Sequence, residues 1–275
     1  MSVVVDVRSL AADLAAEQEA LDAVVAQLSA AHWALPTPSP GWSVADQIGH
    51  LAYFDGTATT AIEHPETFIE SRDALLETVL GGEASMDDAT LGAYRTMSPT
   101  TLLGAWRENR RRLVEATAEL RDDLRVEWYG PSMSAKSFLT ARLMETWAHG
   151  QDIVDTAQKA DLPIRREPTD RLRHIAQLGV ITRGWSYLSR GMDVPAGEVR
   201  VELTSRSGET WAWGSEGAPD IVSGPAEDFC LVVTQRRHPH DTALVVTGAA
   251  ARDWLVHAQA FAGGATDGPV PRHQS

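Results

Sequence analysis

The stretch LMETWAHGQDI, Leu143 to Ile153, places a carboxylate and an imidazole on one face of a predicted helix. Glu145 and His149 are four residues apart, so their side chains project in the same direction. Apolar residues surround the pair, which indicates a face turned inward, where polar groups need compensation. The compensation comes either from the pair itself, as an ion pair, or from a cation that both side chains share.

A histidine on an earlier predicted helix favours the shared cation. His50 lies in the stretch WSVADQIGHLAYFDG, and by itself it is explained as a core histidine. Together with Glu145 and His149, however, it can reach the centre of an antiparallel helical bundle, where such proteins build metal sites. Two imidazoles and one carboxylate are a common ligand set for catalytic zinc and leave a fourth position open. Nickel, cobalt, iron and manganese also suit these ligands.

The first two thirds of the chain are predicted to be helical. Apolar residues at helical spacing predict five long helices, which cover approximately residues 7–31, 43–62, 98–120, 134–159 and 169–190. Ser43 and Asp46 form a capping-box-like start to the second helix, while Ser98 caps the third and Pro99 takes its first position. Residues 64–97 carry no clear pattern.

After GMDVPAGE, residues 191–198, the pattern changes to short strands and short helices. The predicted strands are VRVELT, TWAW and ALVVTG, and the predicted helices are PAEDFCLVVTQ and ARDWLVHAQAF. The stretch SRSG predicts a hairpin turn between the first two strands. We therefore predict an α plus α+β protein: a helical bundle over residues 1–193, a small α+β domain over 194–265 and a flexible tail over 266–275.

Composition narrows the classes of partner. The chain has 275 residues and a net charge of -14 at pH 7, which argues against nucleic acid and anionic membrane surfaces as partners. Cys230 is the single cysteine, so an internal disulfide is impossible and a cytoplasmic location is expected. Asp6 interrupts the first apolar run, and no apolar stretch of about 18 residues predicts a membrane span.

Two motifs carry a family resemblance. PTPSPGWSVADQIGHL, followed much later by METWAHGQDI, resembles the DinB-like superfamily of metal-dependent bundles and, within it, the mycothiol-dependent maleylpyruvate isomerase family. The resemblance covers nearly the whole chain. It implies a DinB-like four-helix bundle followed by a sterol-carrier-like α+β domain, with His50, Glu145 and His149 as the metal ligands.

The resemblance also implies the chemistry of a small thiol, with mycothiol as the first candidate. Coordination to a divalent cation deprotonates a thiol and makes a nucleophile at neutral pH. The thiol has to come from solution, because Cys230 is expected to be a buried core residue of the second domain. The product is then either a transferred thiol or an isomerised electrophile, and the sequence favours neither transferase nor isomerase.

Four further residues are given roles to be tested. Arg236 follows a predicted helix of the second domain, and the resemblance implies that it binds an anionic substrate or thiol; its simpler explanation is a cation that complements the helix dipole. Asp152 either orients an imidazole or faces solvent. Trp42 and Trp147 are expected in the core.

Two alternative functions remain open at the level of sequence. A thiol-independent metalloenzyme, such as a hydrolase, lyase or isomerase, would use the same three ligands. A non-catalytic protein would use the second domain to hold an apolar ligand. The chain is either a monomer or a homodimer, and its expected partners are a small thiol and a small electrophile.

Overall fold

The helices that carry His50 and Glu145 belong to a four-helix bundle. The structure, a computed structural model, describes residues 6–272. Its N-terminal unit ends at Arg166. The helices of this unit are α1 (Val7–Val25), α2 (Val44–Glu63), α3 (Pro65–Leu80), α4 (Met86–Arg95), α5 (Pro99–Thr117) and α6 (Ala135–Lys159). The four long helices α1, α2, α5 and α6 form the bundle, in which α2 packs on α5 and α6, and α1 packs on the same two helices.

Local capping sets the starts of the helices that hold the site. Before α2, the Ser43 hydroxyl accepts the Asp46 backbone N–H, and the Asp46 carboxylate accepts the Ser43 backbone N–H at 2.8 Å. Ser134 caps α6 through the Ser137 backbone N–H at 3.1 Å. These caps confirm the predicted starts of both helices.

Residues 64–97, which had no predicted structure, form α3 and α4. Pro65 takes the first position of α3, and Ser85 caps α4 by accepting the Asp88 backbone N–H at 3.0 Å. The buried face of α3 consists of Phe68 alone. The other apolar residues of α3 are only partly buried or exposed, so its hydrophobic face is weakly marked in the sequence. The unit also contains a short antiparallel pair, β1 (Arg125–Val126) and β2 (Met133–Ser134).

The second unit begins at Glu167 and is an α+β domain. Its elements are α7 (Leu172–Ile181), α8 (Arg183–Leu188), β3 (Val199–Thr204), β4 (Thr210–Trp213), β5 (Asp220–Pro225), α9 (Ala226–Val233), β6 (Val245–Thr247) and α10 (Ala249–His257). The sheet order is β4-β3-β5-β6, with β3 and β5 parallel and the other pairs antiparallel. The predicted hairpin and both predicted helices are present.

Two features of this unit differ from the predictions. The division lies after Arg166 rather than near Val194, because α7 packs on α9; a Cβ on Gly179 of α7 would lie 2.8 Å from the Val233 side chain. Strand β5 was missed because its Gly224 and Pro225 argue against a strand. In the structure Gly224 has φ +138°, and a Cβ there would lie 3.1 Å from the Ala243 carbonyl.

The remaining expectations concern the core and the chain ends. Cys230 is fully buried, and burial raises the pKa of its thiol well above the usual value, as expected for a core residue. The predicted tail starts with an anchored residue, since Thr266 donates its backbone N–H to Gln259 Oε1 at 3.2 Å; residues 273–275 lie outside the described part. Each described helix is too short or too polar to cross a membrane.

Candidate metal centre

His50, Glu145 and His149 meet in the bundle. His50 projects from α2 and the other two from α6. His149 Nε2 lies 3.0 Å from Glu145 Oε2, and His50 Nε2 lies 3.4 Å from the same oxygen. The three ligand atoms lie within 4.8 Å of one another. The convergence predicted from the sequence is therefore present.

The longer of the two separations fits a shared cation better than a salt bridge. A charge-assisted N–H···O bond is about 2.7–2.9 Å long. Both contacts to Glu145 Oε2, 3.0 Å and 3.4 Å, are longer than that. Ligand atoms at about 2.0–2.1 Å from a tetrahedral zinc lie about 3.3 Å apart, which is close to both values.

Gln47, on α2, sets the hydrogen-bonding state of His149. Its side-chain Nε2 donates to Thr37 Oγ1 at 2.9 Å and to Ser39 Oγ at 3.1 Å. Both hydroxyls use their own hydrogen elsewhere: Thr37 donates to the Trp42 carbonyl and Ser39 donates to Asp152 Oδ2. They therefore accept from Gln47, and this orientation turns Gln47 Oε1 towards His149 Nδ1, 2.5 Å away.

The consequence is that Nδ1 of His149 carries a proton. A carbonyl oxygen accepts and cannot donate, so a neutral His149 keeps its lone pair on Nε2. That lone pair faces Glu145 Oε2, and two electron-rich atoms at 3.0 Å repel each other unless a cation lies with them. The donor set therefore fits a divalent metal, with Gln47 supporting a ligand in the manner of many metal sites.

At neutral pH, His50 and Glu145 are in the protonation states that bind a metal. Burial, reinforced by the neighbouring His149, lowers the pKa of His50 to about 4, so its imidazole is neutral at pH 7. Burial would raise the pKa of Glu145, but the two imidazoles next to its carboxylate outweigh burial and hold the pKa well below the ordinary value. Metals bind neutral imidazole and ionised carboxylate, which are the forms present here.

Trp42 covers the two imidazoles. Its ring is stacked on His149 with a centroid distance of 5.8 Å and lies 5.2 Å from His50. The indole N–H donates to Asp87 Oδ2 on α4 at 2.7 Å, which holds the ring in place. Trp42 is half-buried, so it forms a wall of the site rather than part of the core, whereas Trp147 is buried as expected.

Asp152 is linked to the His149 imidazole indirectly, through Ser39 and Gln47. Its carboxylate accepts the Ser39 hydroxyl at 3.2 Å, and Ser39 in turn accepts from Gln47. Asp152 is 2% exposed, so the alternative of a solvent-facing residue is wrong. Gln47 was not among the residues predicted for the site, although it lies three residues before His50 on the same face of α2, and this spacing is the signal that marks it.

Arg236 lies in the second unit, three residues after α9 ends. Its Nη1 donates to the Thr234 carbonyl at 2.6 Å, and its backbone N–H donates to the Leu231 carbonyl at 2.7 Å. These contacts place the guanidinium at the C-terminal end of the helix, as the simpler explanation expects. Its role in ligand binding stays a prediction.

Comparison with known proteins gives matches over both units. The family model for the mycothiol maleylpyruvate isomerase N-terminal domain matches residues 14–154, and a model described as wyosine base formation matches residues 195–247. Two proteins of Mycobacterium tuberculosis, from strains CDC 1551 / Oshkosh and ATCC 25618 / H37Rv, are each 45% identical over 252 residues, which is 92% of this chain and 95% of theirs. Both are named as uncharacterized.

Two solved structures have a similar fold. The crystal structure of the mycothiol-dependent maleylpyruvate isomerase matches with a TM-score of 0.54 and 16% identity, over 88% of this chain and 93% of that one. A mutant of that enzyme matches with a TM-score of 0.53 and 16% identity, over 84% and 90%. At this identity the likeness concerns the fold, a helical unit followed by a small sheet domain.

Proposed function

The chain belongs to the mycothiol maleylpyruvate isomerase family, and from this premise we propose that it is a divalent-metal-dependent enzyme that uses a low-molecular-weight thiol, such as mycothiol, to transfer the thiol to, or isomerise, a small electrophile. The family match supports an enzyme of the isomerase type with a thiol cosubstrate. The metal, its identity and the fate of the thiol belong to the proposal.

The observation that carries the proposal is the Gln47-oriented His149 beside Glu145. Two imidazole nitrogens and a carboxylate oxygen would hold the metal, and zinc is the first candidate for this set. When bound, the metal lowers the pKa of a thiol that reaches its open position and so supplies a thiolate at neutral pH. An electrophile held beside that position is then within reach of the nucleophile.

The residues of the chain have separate tasks in this scheme. Gln47 keeps the proton on His149 Nδ1, so that Nε2 stays available as a ligand. Trp42 limits the access of water to the imidazoles from its side. Glu145 is the most accessible ligand, with 25% of its side chain exposed, and an incoming molecule would approach on the side where it is exposed.

Arg236 completes the proposal as the candidate cation for an anionic substrate or thiol. The net charge of the chain is -14, which repels anions in general, so an anionic ligand needs a local cation. We place the reaction in the cytoplasm, where a single buried cysteine and a free thiol cosubstrate are compatible with reducing conditions.

Cobalt substitution tests the proposal directly. Cobalt-loaded protein should gain a strong near-ultraviolet band, the signature of sulfur ligation, when the correct thiol is added, and binding should release a proton and tighten as the pH rises towards the thiol pKa. Mycothiol and glutathione should both be tried. His149→Ala should abolish the band, and His257→Ala, which removes a histidine from α10, is the matched control.

The outcome also decides between the two kinds of metalloenzyme. If no thiol perturbs the cobalt spectrum while the enzyme turns over a substrate without one, the thiol scheme is wrong. The same three ligands would then support hydroxide or Lewis-acid chemistry.

A further inference from the structure

A group of half-buried aromatic side chains lies next to the metal centre. Tyr53 and Phe54 come from α2, and Trp128 and Tyr129 come from the loop between β1 and β2. We call these four residues the aromatic surface. The Phe54 ring is its centre, with centroids 5.0 Å from Tyr53, 5.5 Å from Tyr129 and 6.1 Å from Trp128.

The aromatic surface is continuous with the metal centre. The Phe54 ring lies 4.5 Å from the His50 imidazole, centroid to centroid. Phe54 follows His50 by four residues on α2, so it lies about 6 Å further along the helix axis. A ring that packs on Phe54 therefore brings its substituents to the metal centre.

A second, buried layer supports these rings. Phe68 on α3 stacks on Trp128 at 5.4 Å, and Phe138 on α6 meets the same ring edge-on at 5.0 Å; both are 1% exposed. Arg72 also donates to the Trp128 carbonyl at 3.2 Å. Packing of the loop on α3 and α6 explains the buried layer, but it leaves the rings of the aromatic surface partly open. Rings held in this way lose little entropy when a ligand binds.

The polar groups that border the aromatic surface are hydrogen-bond donors. Tyr129 donates its hydroxyl to Tyr53 Oη at 3.4 Å, so the O–H of Tyr53 is not used in this contact. Arg142 lies with Cζ 5.9 Å from the Phe54 centroid; among the described residues its Nε has no acceptor, although its Nη2 binds Asp55. Burial raises the pKa of Tyr129, which keeps its hydroxyl protonated.

From this arrangement we infer that the aromatic surface binds the electrophilic substrate and that this substrate is a conjugated aromatic compound with a carbonyl or carboxylate oxygen, rather than a short aliphatic one. The ring faces favour a flat ring by stacking and edge-on contact. The tyrosine hydroxyls at the border of the aromatic surface favour a ligand oxygen, and the buried Arg142 guanidinium near Phe54 favours a negative charge on that oxygen. The inference deepens the proposed function, and it rests on that function for the identification of the ligand as the substrate.

The test compares three carboxylic acids that differ in one substituent: cinnamate, crotonate and 3-cyclohexylacrylate. Binding to the full-length protein is measured by equilibrium dialysis, both as purified and after metal removal. Cinnamate should bind at least about 10-fold more tightly than crotonate, and also more tightly than 3-cyclohexylacrylate, because stacking needs an aromatic ring. Any contact of the carboxylate with the metal is common to all three and cancels in the ratio.

Variants of the aromatic surface test whether it causes the preference for cinnamate over crotonate. Trp128→Leu and Tyr129→Leu should each reduce the ratio of cinnamate to crotonate affinity to less than about threefold. Tyr53→Leu, at a half-buried position on α2, provides the same test if a loop variant fails to fold. Trp185→Leu, an exposed tryptophan in the second unit, should leave the ratio unchanged.

Equal affinity for cinnamate and crotonate, or equal affinity for cinnamate and the cyclohexyl compound, would overturn the inference. So would a preference that survives all three variants. The acids are tested without thiol, and also without metal. A protein that fails to activate a thiol in the cobalt experiment can therefore still show the preference for cinnamate. The two failures are therefore distinguishable.

Discussion

Two acidic side chains lie on facing helices of the bundle, and their surroundings are opposite in kind. Asp55 on α2 is fully buried and accepts from Gln18 of α1 at 3.0 Å, Trp106 of α5 at 3.1 Å and Arg142 of α6 at 2.7 Å. Its carboxylate thus joins all four long helices. Glu145 is partly exposed, and the groups that contact its carboxylate oxygen are two imidazoles.

The difference lies in the donors. An amide, an indole and a guanidinium have fixed N–H groups, and the guanidinium brings a permanent positive charge, so the Asp55 carboxylate is compensated without any ligand. The imidazoles near Glu145 carry a proton or a lone pair, depending on their environment. A buried carboxylate with permanent donors is thus a structural element, whereas one between two imidazoles is a place for a cation.

The largest effect should come from removing a metal ligand. His149→Ala should lose nearly all of the bound metal that wild-type protein, purified without added metal, contains at about one ion per chain. The helical content should stay, because Asp55 and its partners still join the helices. Elemental analysis and circular dichroism measure both. Wild-type protein that is metal-free and gains nothing on titration with zinc, nickel or cobalt would mean that Glu145 and His149 are a simple ion pair.

Removing the other carboxylate should affect the fold instead. Asp55→Ala should lower the free energy of unfolding by about 3–5 kcal/mol, because Arg142 is then left buried without its counter-charge. Urea denaturation measures this. Asp73→Ala, which removes the exposed partner of Arg72, should cost less than about 1 kcal/mol and is the matched control. If Asp55→Ala lost metal without losing stability, Asp55 would belong to the metal site and would not be a structural residue.

The histidines of the metal centre should make the stability of the protein depend on pH. The folded-state pKa of His50, about 4, lies below the ordinary value of 6.5, so between these pH values the unfolded chain binds more protons. The metal-free protein should therefore lose stability as the pH falls from 6.5 to 4, by about 3 kcal/mol at most.

Glu145 adds to the loss further down the pH scale. Its folded pKa is depressed, so the stability that it contributes is present above its unfolded pKa, 4.5, and is lost as the pH falls towards the lower folded value. Urea denaturation at a series of pH values should show a shallower slope for His50→Gln than for wild type between pH 6.5 and 4. Equal slopes would contradict the assignment to His50.

The smallest effect tests the orientation of His149. Gln47→Leu should weaken metal binding by about 10–100-fold, because Nδ1 loses the acceptor that keeps its proton in place. Competition with a chelator measures the change. Gln27→Leu alters an exposed glutamine on the turn after α1 and should leave the affinity unchanged. Equal affinities for Gln47→Leu and wild type would show that Gln47 has no effect on the metal.

Some features were predictable because they depend on neighbours in the chain. The starts of α2 and α6 follow from Ser43 and Ser134, whose side chains bind backbone N–H groups three residues later. Glu145 and His149 share a helix face because they are four residues apart. His50 on an earlier predicted helix completed the set of three ligands, and the family resemblance implied the same three residues.

Other features were missed because they depend on distant contacts. Trp42 becomes a wall of the site through its bond to Asp87. Strand β5 forms despite Gly224 and Pro225, because β3 and β6 pair with it on its two sides. The helices after Arg166 belong to the second unit because α7 packs on α9. Helical periodicity shows which face of a helix is buried, but it does not show which element covers that face.

The sequence by itself determined which side chains could bind a metal and which helix faces present them, because helical geometry converts residue spacing directly into direction. The tertiary structure alone decided that His50 reaches the same carboxylate oxygen as His149, and that Gln47 turns its carbonyl oxygen to Nδ1. The orientation of the Gln47 amide depends on the hydroxyls of Thr37 and Ser39. Each hydroxyl donates its own hydrogen to another group and therefore accepts a hydrogen bond from Gln47 Nε2. A hydrogen-bond network has a direction only once all its members are in place, so no local pattern could have predicted it.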